Sequence, residues 1–399
     1  MEFVGDMKRV LILVENLPVP FDRRVWLEAR TLKNSGYQVS VICPAMGEFQ
    51  QREEIIEDIH IYRHPLPEEV SSSLGYIHEY AVALYHEFNL AFKIRKTRGF
   101  DIIHMCNPPD LLFLVALWFK LFNGVKVIYD QHDLNPEMYE SKFGKRGFFY
   151  LLLLLFEKCT YSLADIVIST NESYKSFALN RGGKNESAVF VVRSAPDIEK
   201  FIPTEPNIIY NCGKKYLVGY VGVIGEQDGV EYLIDAIDTI VNEKKRDDIY
   251  FMIIGDGPAV PDLKKRTSDA ALWDYIQFAG RVSDEELLER LSSCDVCVGP
   301  DPKTPFNDYS TMNKIIEYMC LGKPVVQFDL TEGRYSAGDS SYYAKPNDTN
   351  DFAQKIIDLL NDTELRAEMG IRGQLRVKNK LAWHHQSPIL LNAYDNLYK

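Results

Sequence analysis

Short runs of β-branched and aliphatic residues alternate along this chain with longer stretches of helical spacing, and the alternation runs twice, once on each side of a breaker-rich segment. Residues 10–14, 39–43, 101–104, 125–130, 164–169 and 189–192 make the first series of strand-like runs, the opening pair joined by a helical pattern over 25–35. Strands of a parallel sheet are covered by helices on both faces, so they read as continuous apolar runs rather than as alternating ones. Residues 216–222, 250–254, 276–278, 296–298 and 324–328 make the second series. Between them Pro203, Pro206, Asn207, Asn211 and Gly213 interrupt all periodicity, as breakers do at a domain boundary. The expected fold class is α/β, with two Rossmann-like, doubly wound domains facing across a cleft. They occupy 1–195 and 216–380, with a linker over 196–215 and a C-terminal helix over 381–399 that packs back on the first domain.

Composition narrows the function. With 399 residues, 46% hydrophobic and 26% charged, the chain can bury two cores. A net charge of −12 argues against nucleic acid as a partner, because phosphate neutralisation needs clustered Lys and Arg. Seven scattered cysteines fit reduced thiols; Cys294 and Cys297 are spaced like a redox or metal pair but lie in an apolar run with no second pair nearby, and read as core. Residues 1–8 lack the pattern of a cleavable signal peptide, and the longest apolar run, 148–156, is well short of the roughly 20 residues that cross a bilayer. A cytoplasmic location is expected, with attachment to the inner face of the cell membrane as a further hypothesis. Lys142, Lys145 and Arg146 stand beside that apolar run, and cations beside apolar surface suit anionic lipid; the competing reading is a buried core helix.

In open α/β sheets ligands collect at the carboxyl ends of strands, so the loops there are the places to search. Gly222, Gly225 and Gly229 follow the first strand of the second series, and their freedom either brings backbone N–H groups close to a phosphate or merely turns the chain. Gly255-Asp-Gly257 and Gly280-Arg281-Val282 are further strand-end turns, the latter suited to a flat base. The segment from Asn307 to Val326 is the most informative: Ser310 or Thr311 can cap a helix start at Met312 and Asn313, whose amides and dipole favour an anion, with Lys314 in the first turn and Glu317 one turn on. A carboxylate there can accept two hydrogen bonds from vicinal ribose hydroxyls while the helix start meets a diphosphate; an ordinary solvated Lys and Glu is the alternative.

Taken in order, Gly222 to Gly229, Gly255-Asp-Gly257, Gly280-Arg281-Val282 and Glu317-Tyr-Met-Cys-Leu-Gly-Lys-Pro resemble the donor domain of family 4 retaining glycosyltransferases of the GT-B fold. Asp22-Arg-Arg-Val-Trp26, Asp101-Ile-Ile-His104, Asp130-Gln-His-Asp133 and Pro136-Glu137 are similar to acceptor-side segments of that family, so the resemblance spans nearly the whole chain. It implies that Glu317, the second glutamate of the family's Glu, seven residues, Glu motif, holds the donor ribose. Tyr309 stands where the first glutamate belongs, with Asp308 one residue off register, and Val223 and Asp228 stand where the family carries Arg and Lys against the diphosphate. Lys314 is the preferred replacement cation, with Arg281, Lys303, Arg334, Arg23 and Arg24 behind it. Cys106, beside Asn107, takes the place of a family histidine, so His132 and Asp133 become the candidates at the reaction centre, against a merely structural histidine.

The resemblance implies transfer of a sugar, with retention at the anomeric carbon, from a nucleotide-sugar donor, UDP favoured, to a glycan or lipid-linked glycan acceptor in polysaccharide or glycoconjugate synthesis. No aspartate-based metal motif is evident, and neither metal nor other cofactor is expected. A nucleotide-sugar epimerase or hydrolase and a non-catalytic nucleotide-sugar-binding subunit are the alternatives. Free sugar or an epimer formed without acceptor would favour the former, and binding without turnover the latter.

Overall fold

The computed structural model describes residues 8–66 and 73–398, of 73–80 the backbone alone; residues 1–7 of the N-terminal stretch and Lys399 of the C-terminal one lie outside the described residues. The chain divides into two compact units, Met1–Ser194 with His384–Lys399, and Ala195–Trp383.

The first unit is built on eight strands: β1 (Arg9–Val14), β2 (Gln38–Ala45), β3 (Glu53–Ile56), β4 (Ile59–Pro65), β5 (Ile102–Cys106), β6 (Lys126–Gln131), β7 (Ile166–Ser169) and β8 (Val189–Val191), in the order β3-β4-β2-β1-β5-β6-β7-β8. The expectation of a purely parallel sheet is corrected at one edge, where β3 and β4 pair antiparallel. They are joined by Glu57 and Asp58, both at positive φ (49° and 63°), the backbone of a tight hairpin turn. Leu11, Leu13, Ile103, Met105, Val127 and Tyr129 are among the sheet residues of one core cluster, against Val115, Phe119 and Tyr161 from covering helices. The helix Phe148–Leu163 is not the wholly buried helix that its composition allows: Tyr150, Glu157 and Tyr161 turn inward, whereas Phe148 is 74%, Leu151 61% and Leu155 54% exposed.

The second unit carries β9 (Tyr216–Val221), β10 (Ile249–Ile254), β11 (Ile276–Gly280), β12 (Val296–Gly299), β13 (Val325–Phe328) and β14 (Ser341–Ala344), all parallel, in the order β11-β10-β9-β12-β13-β14. Val218, Tyr220, Phe251, Ile253, Val298, Phe328 and Phe352 pack its core, and Cys294 and Cys297 are buried. The linker expected over 196–215 is corrected to part of this unit. Phe201 is buried among Leu217, Tyr250 and Leu291, and Asn207 is tied by its backbone N–H to Ser293 Oγ (2.9 Å) and by its amide to Glu289 (2.8 Å). At the C-terminal end Leu381 and Ala382 still belong to this core, so the segment expected from 381 starts its own helix at Trp383–Asn396. That helix returns to the first unit, where Tyr394 OH bonds His104 Nδ1 at 2.7 Å and its ring stands edge-on to Tyr37.

Candidate functional site

In the second unit the chain leaves β9 through Gly222, Val223, Ile224 and Gly225, then makes the turn Glu226–Asp228 and the helix Val230–Asp238. Glycine is required where this loop meets the next strand-end loop: a Cβ on Gly255 would stand 1.9 Å from Gly222 O, and one on Gly257 2.5 Å from Ile224 O. Three loop amides are already engaged, Gly222 N with Ile254 O (3.1 Å), Ile224 N with Asp256 O (3.1 Å) and Gly225 N with Asp228 Oδ2 (3.0 Å). The phosphate cradle read from the glycines is therefore corrected: these turns brace the strand ends against each other, and most of the loop's N–H groups are satisfied within the chain.

Lys314 sits in the first turn of the helix Asn313–Cys320 but is buried, with Nζ 2.7 Å from Asp301 Oδ1 and 4.9 Å from the Tyr220 ring centroid. Burial alone would lower its pKa, yet Asp301, Tyr220 and Asp228 together hold it protonated and raise it. Asp228 is pushed up to about 6, by burial first, with Lys314 pulling it down and Asp301 pushing it up. The loop position that resemblance assigns to a Lys is thus an Asp facing a lysine delivered from another element. Sequence reading chose Lys314 but missed Asp301 and Tyr220, the partners that hold it.

No side chain caps the helix Asn313–Cys320; its N-cap is Met312, in extended conformation. The expectation that Ser310 or Thr311 caps it is corrected: Ser310 ends the preceding short helix Pro305–Tyr309 and donates its hydroxyl to Phe306 O at 2.8 Å. Glu317 is half-buried on this second helix, and Tyr318 OH anchors it by accepting from Val221 N (2.8 Å) at the end of β9. Asp308, expected near the donor sugar, is a brace: it accepts from Thr331 N (2.8 Å) and Thr331 Oγ1 (3.1 Å) and lies 3.3 Å from Lys303 Nζ. Asn307, which sequence reading left without a role, ties the same helix to the glycine loop through Gln227 O (2.8 Å). Past β11, Arg281 is exposed and Val282 half-buried, whereas Arg334 is bound to Asp329 at 2.7 Å.

In the first unit Asp22 caps the helix Arg23–Asn34 by accepting from Val25 N, which leaves Arg23 exposed and turns Arg24 inward. Arg24 holds both oxygens of Asp130, at 2.7 and 3.0 Å, donates to Val192 O (2.8 Å) and lies 3.1 Å from Glu28. The expectation that Arg24 is available to a diphosphate is corrected, because the guanidinium is fully committed to a buried carboxylate pair. Asp130 Oδ2 is 2.5 Å from His132 Nε2. Arg24 Nε also lies 3.1 Å from His132 Nε2 and 3.0 Å from Asp130 Oδ2. A carboxylate only accepts, so the short contact to Asp130 assigns the Nε2 proton to the ring, and in the neutral ring Nδ1 is left as the acceptor. Burial would raise Asp130, but Arg24 and His132 hold it well below the carboxylate range.

Asn107 fixes the same corner: its Oδ1 accepts from His132 N (2.7 Å) and Asp133 N (3.2 Å), while its amide donates to Asp110 (3.1 Å) and Asp133 O (2.9 Å). Cys106, expected beside Asn107 on the acceptor side, is corrected to a core residue: it is fully buried at the end of β5, and burial pushes its thiol up. His132 and Asp133 are half-buried at the carboxyl end of the sheet, and burial pushes Asp133 up to about 6.

Residues 22–192 match the family model described as "Glycosyl transferase 4-like domain" and residues 215–362 the one described as "Glycosyl transferases group 1". The α-D-kanosaminyltransferase of Streptomyces kanamyceticus is 31% identical over 163 residues; the match takes in 40% of this chain and 40% of that one, so the chain spans less than half of that relative's length. The chitobiosyldiphosphodolichol beta-mannosyltransferase of Kluyveromyces lactis is 23% identical over 98% of this chain and 90% of its own. Among solved structures, Anabaena HepE in complex with UDP-glucose superposes with a TM-score of 0.73 at 17% identity, covering 98% of this chain and 99% of that one. The fold is of the GT-B type, two Rossmann-like units in tandem.

Proposed function

We propose that this chain, a relative of the group 1 and 4-like glycosyl transferases with a GT-B-type fold, moves a sugar from a nucleoside-diphosphate-sugar to a hydroxyl of a glycan or lipid-linked glycan. The observation that carries the donor half is the helix Asn313–Cys320, which has no side-chain cap and has Lys314 held protonated in its first turn and Glu317 one turn on. In this reading Glu317 takes the ribose hydroxyls, the N–H groups at Met312 and Asn313 take the diphosphate, and the dipole with Lys314 stabilises its growing charge. UDP is the favoured nucleotide, supported by the UDP-glucose complex of HepE. The lipid-linked acceptor is supported by the name of the Kluyveromyces relative.

Transfer proceeds with retention. The bond from the anomeric carbon to the diphosphate breaks with its electron pair going to the phosphate oxygen. The acceptor oxygen then bonds to that carbon from the same face and its proton passes to the departing diphosphate, so neither covalent nucleophile nor metal takes part. His132, with Nε2–H spent on Asp130, offers Nδ1 to a sugar or acceptor hydroxyl, and Asp133 lies beside it. Peripheral contact with an anionic membrane belongs to the same reading. The adjoining helices Phe113–Asn123 and Phe148–Leu163 expose Trp118, Leu121, Phe122, Phe148, Leu151 and Leu155, and Lys145 and Arg146 directly precede the second. Among the described residues no helix is long and apolar enough to cross a membrane.

The test is product analysis with the full chain, UDP-sugars and a lipid-linked glycan: a glycan longer by one sugar, with UDP released in step, supports the reading. Asp228 and Val223, standing where the family carries cations, favour a second reading as a nucleotide-sugar-binding subunit, which binding without turnover would select. UDP released without any acceptor would select a hydrolase.

A further inference from the structure

Two groups of buried side chains in the first unit bring three or more metal-ligating atoms within 4.8 Å of one another: Glu28, His104, Cys106 and Asp130, and Glu15, His64 and Glu87. Charge separates them. The first already encloses a cation, the Arg24 guanidinium, bound to Asp130 and 3.1 Å from Glu28. The second pairs with no Lys or Arg among the described residues. Glu87 is wholly buried on the helix Ser73–Thr97, and neither of its carboxylate oxygens has a hydrogen-bond partner.

His64 sets the chemistry of this second group. Its Nδ1 lies 3.1 Å from Pro65 O, and a carbonyl only accepts, so Nδ1 carries a proton. In the neutral ring Nε2 then presents a lone pair, and it lies 3.0 Å from Glu15 Oε2, without hydrogen-bond geometry. A lone pair facing a carboxylate oxygen, with a second bare carboxylate beside both, is repulsive unless a metal cation or a shared proton lies between them. A metal-bound histidine characteristically donates its other ring N–H to a carbonyl, as His64 does, and the ring is further set by stacking on His86 at 6.0 Å.

We propose that Glu15, His64 and Glu87 form a site for one divalent cation of the zinc or manganese class, which clips the helix Ser73–Thr97 to the carboxyl end of the sheet. One imidazole and two carboxylates suit a cation of borderline softness, and their charges balance a dication. Glu15 directly follows β1 and His64 is the penultimate residue of β4, so the cation joins two strands and a helix that are distant in sequence. The site takes no part in the transfer proposed above and stands or falls independently of it.

The experiment measures metal content by mass spectrometry, and melting temperature, for the full chain loaded with Zn2+ or Mn2+ and then dialysed, with and without EDTA. The expected result is one equivalent per chain, a melting temperature several degrees lower after EDTA, and neither metal nor EDTA response in Glu87→Gln or His64→Gln. Because Gln is buried at less cost than an unpaired Glu, Glu87→Gln should melt above the EDTA-treated parent, which keeps the test readable if metal loss loosens the fold. Cys106→Ser, in the other group, should keep its equivalent. The proposal is overturned if the parent retains no metal and neither cation moves its melting temperature, in which case the three groups share protons instead. It is equally overturned if Glu87→Gln and His64→Gln bind as much as the parent.

Discussion

Asp130 Oδ2 lies 2.5 Å from His132 Nε2, while Arg24 grips both oxygens of the same carboxylate. The buried pair of Arg24 and Asp130 thus orients the half-buried histidine from behind. Arg24→Met leaves Asp130 and Glu28 buried without their cation, and breaking a buried pair from one side costs about 3–5 kcal/mol. Urea denaturation should show a loss of that order.

Asn107 acts on the same corner through the backbone. Asn107→Ala removes the acceptor for His132 N and Asp133 N, leaving two donors to water or to nothing, at about 1–3 kcal/mol for a buried unsatisfied group. With the proposed transferase activity, kcat should fall while donor affinity is kept, because the donor helix lies in the other unit. Steady-state kinetics with nucleotide binding measured separately distinguishes this from general unfolding.

Burial pushes the Asp133 carboxyl from 3.8 up to about 6, with His132 opposing and Asp110 reinforcing the shift. The folded chain therefore holds this proton more tightly than the unfolded one, and the associated stability is present below the unfolded value and lost as pH rises through about 6. Asp133→Asn should flatten that part of the stability profile, gaining on the parent at pH above it. A variant whose profile parallels the parent's would contradict the assignment.

Lys314 serves both fold and ligand in this account, and a double variant separates the two. Lys314→Met strands Asp301 and Asp228 and should destabilise by about 3 kcal/mol or more. Adding Asp301→Asn should restore much of the stability, since paired removal of buried charges is far cheaper than single removal. Nucleotide affinity should remain weak in both if the lysine charge serves the diphosphate, and should recover with stability if it serves packing alone.

Apolar runs and breakers made the two Rossmann-like units legible, because strands buried on both faces must be continuously hydrophobic. Three strands were not legible: β3 is Glu-Glu-Ile-Ile on a half-exposed edge, β14 is Ser-Tyr-Tyr-Ala with no β-branched residue, and β4, though mostly buried, mixes His60, Arg63 and His64 into its apolar run. The site was legible where chemistry is local, as in Lys314 and Glu317 on one helix turn. It was not legible where partners lie far apart in sequence: Arg24 beside Arg23 reads as surface charge, and only the fold brings it to Asp130, 106 positions on. The glycines misled for a related reason, since close approach of two loops and close approach of a phosphate ask for the same residue.

The exposed face of the helices Phe113–Asn123 and Phe148–Leu163 predicts sedimentation with vesicles containing anionic lipid and not with neutral ones. Replacing Phe148, Leu151 and Leu155 by Ser should abolish it while the chain still folds cooperatively, with only a modest drop in melting temperature, because these side chains are more than half exposed. Equal pelleting by both vesicle types would contradict the contribution of Lys145 and Arg146.

If the second unit binds a nucleotide diphosphate through Glu317 and its helix, the thermal stability of the parent and of Glu317→Ala must respond differently to UDP, GDP, ADP and their sugars. A ligand at 100 times its dissociation constant stabilises by about 2.7 kcal/mol. A shift of that order is expected with UDP or a UDP-sugar, and its loss in Glu317→Ala. No shift with any nucleotide, or an equal shift in the variant, would contradict it.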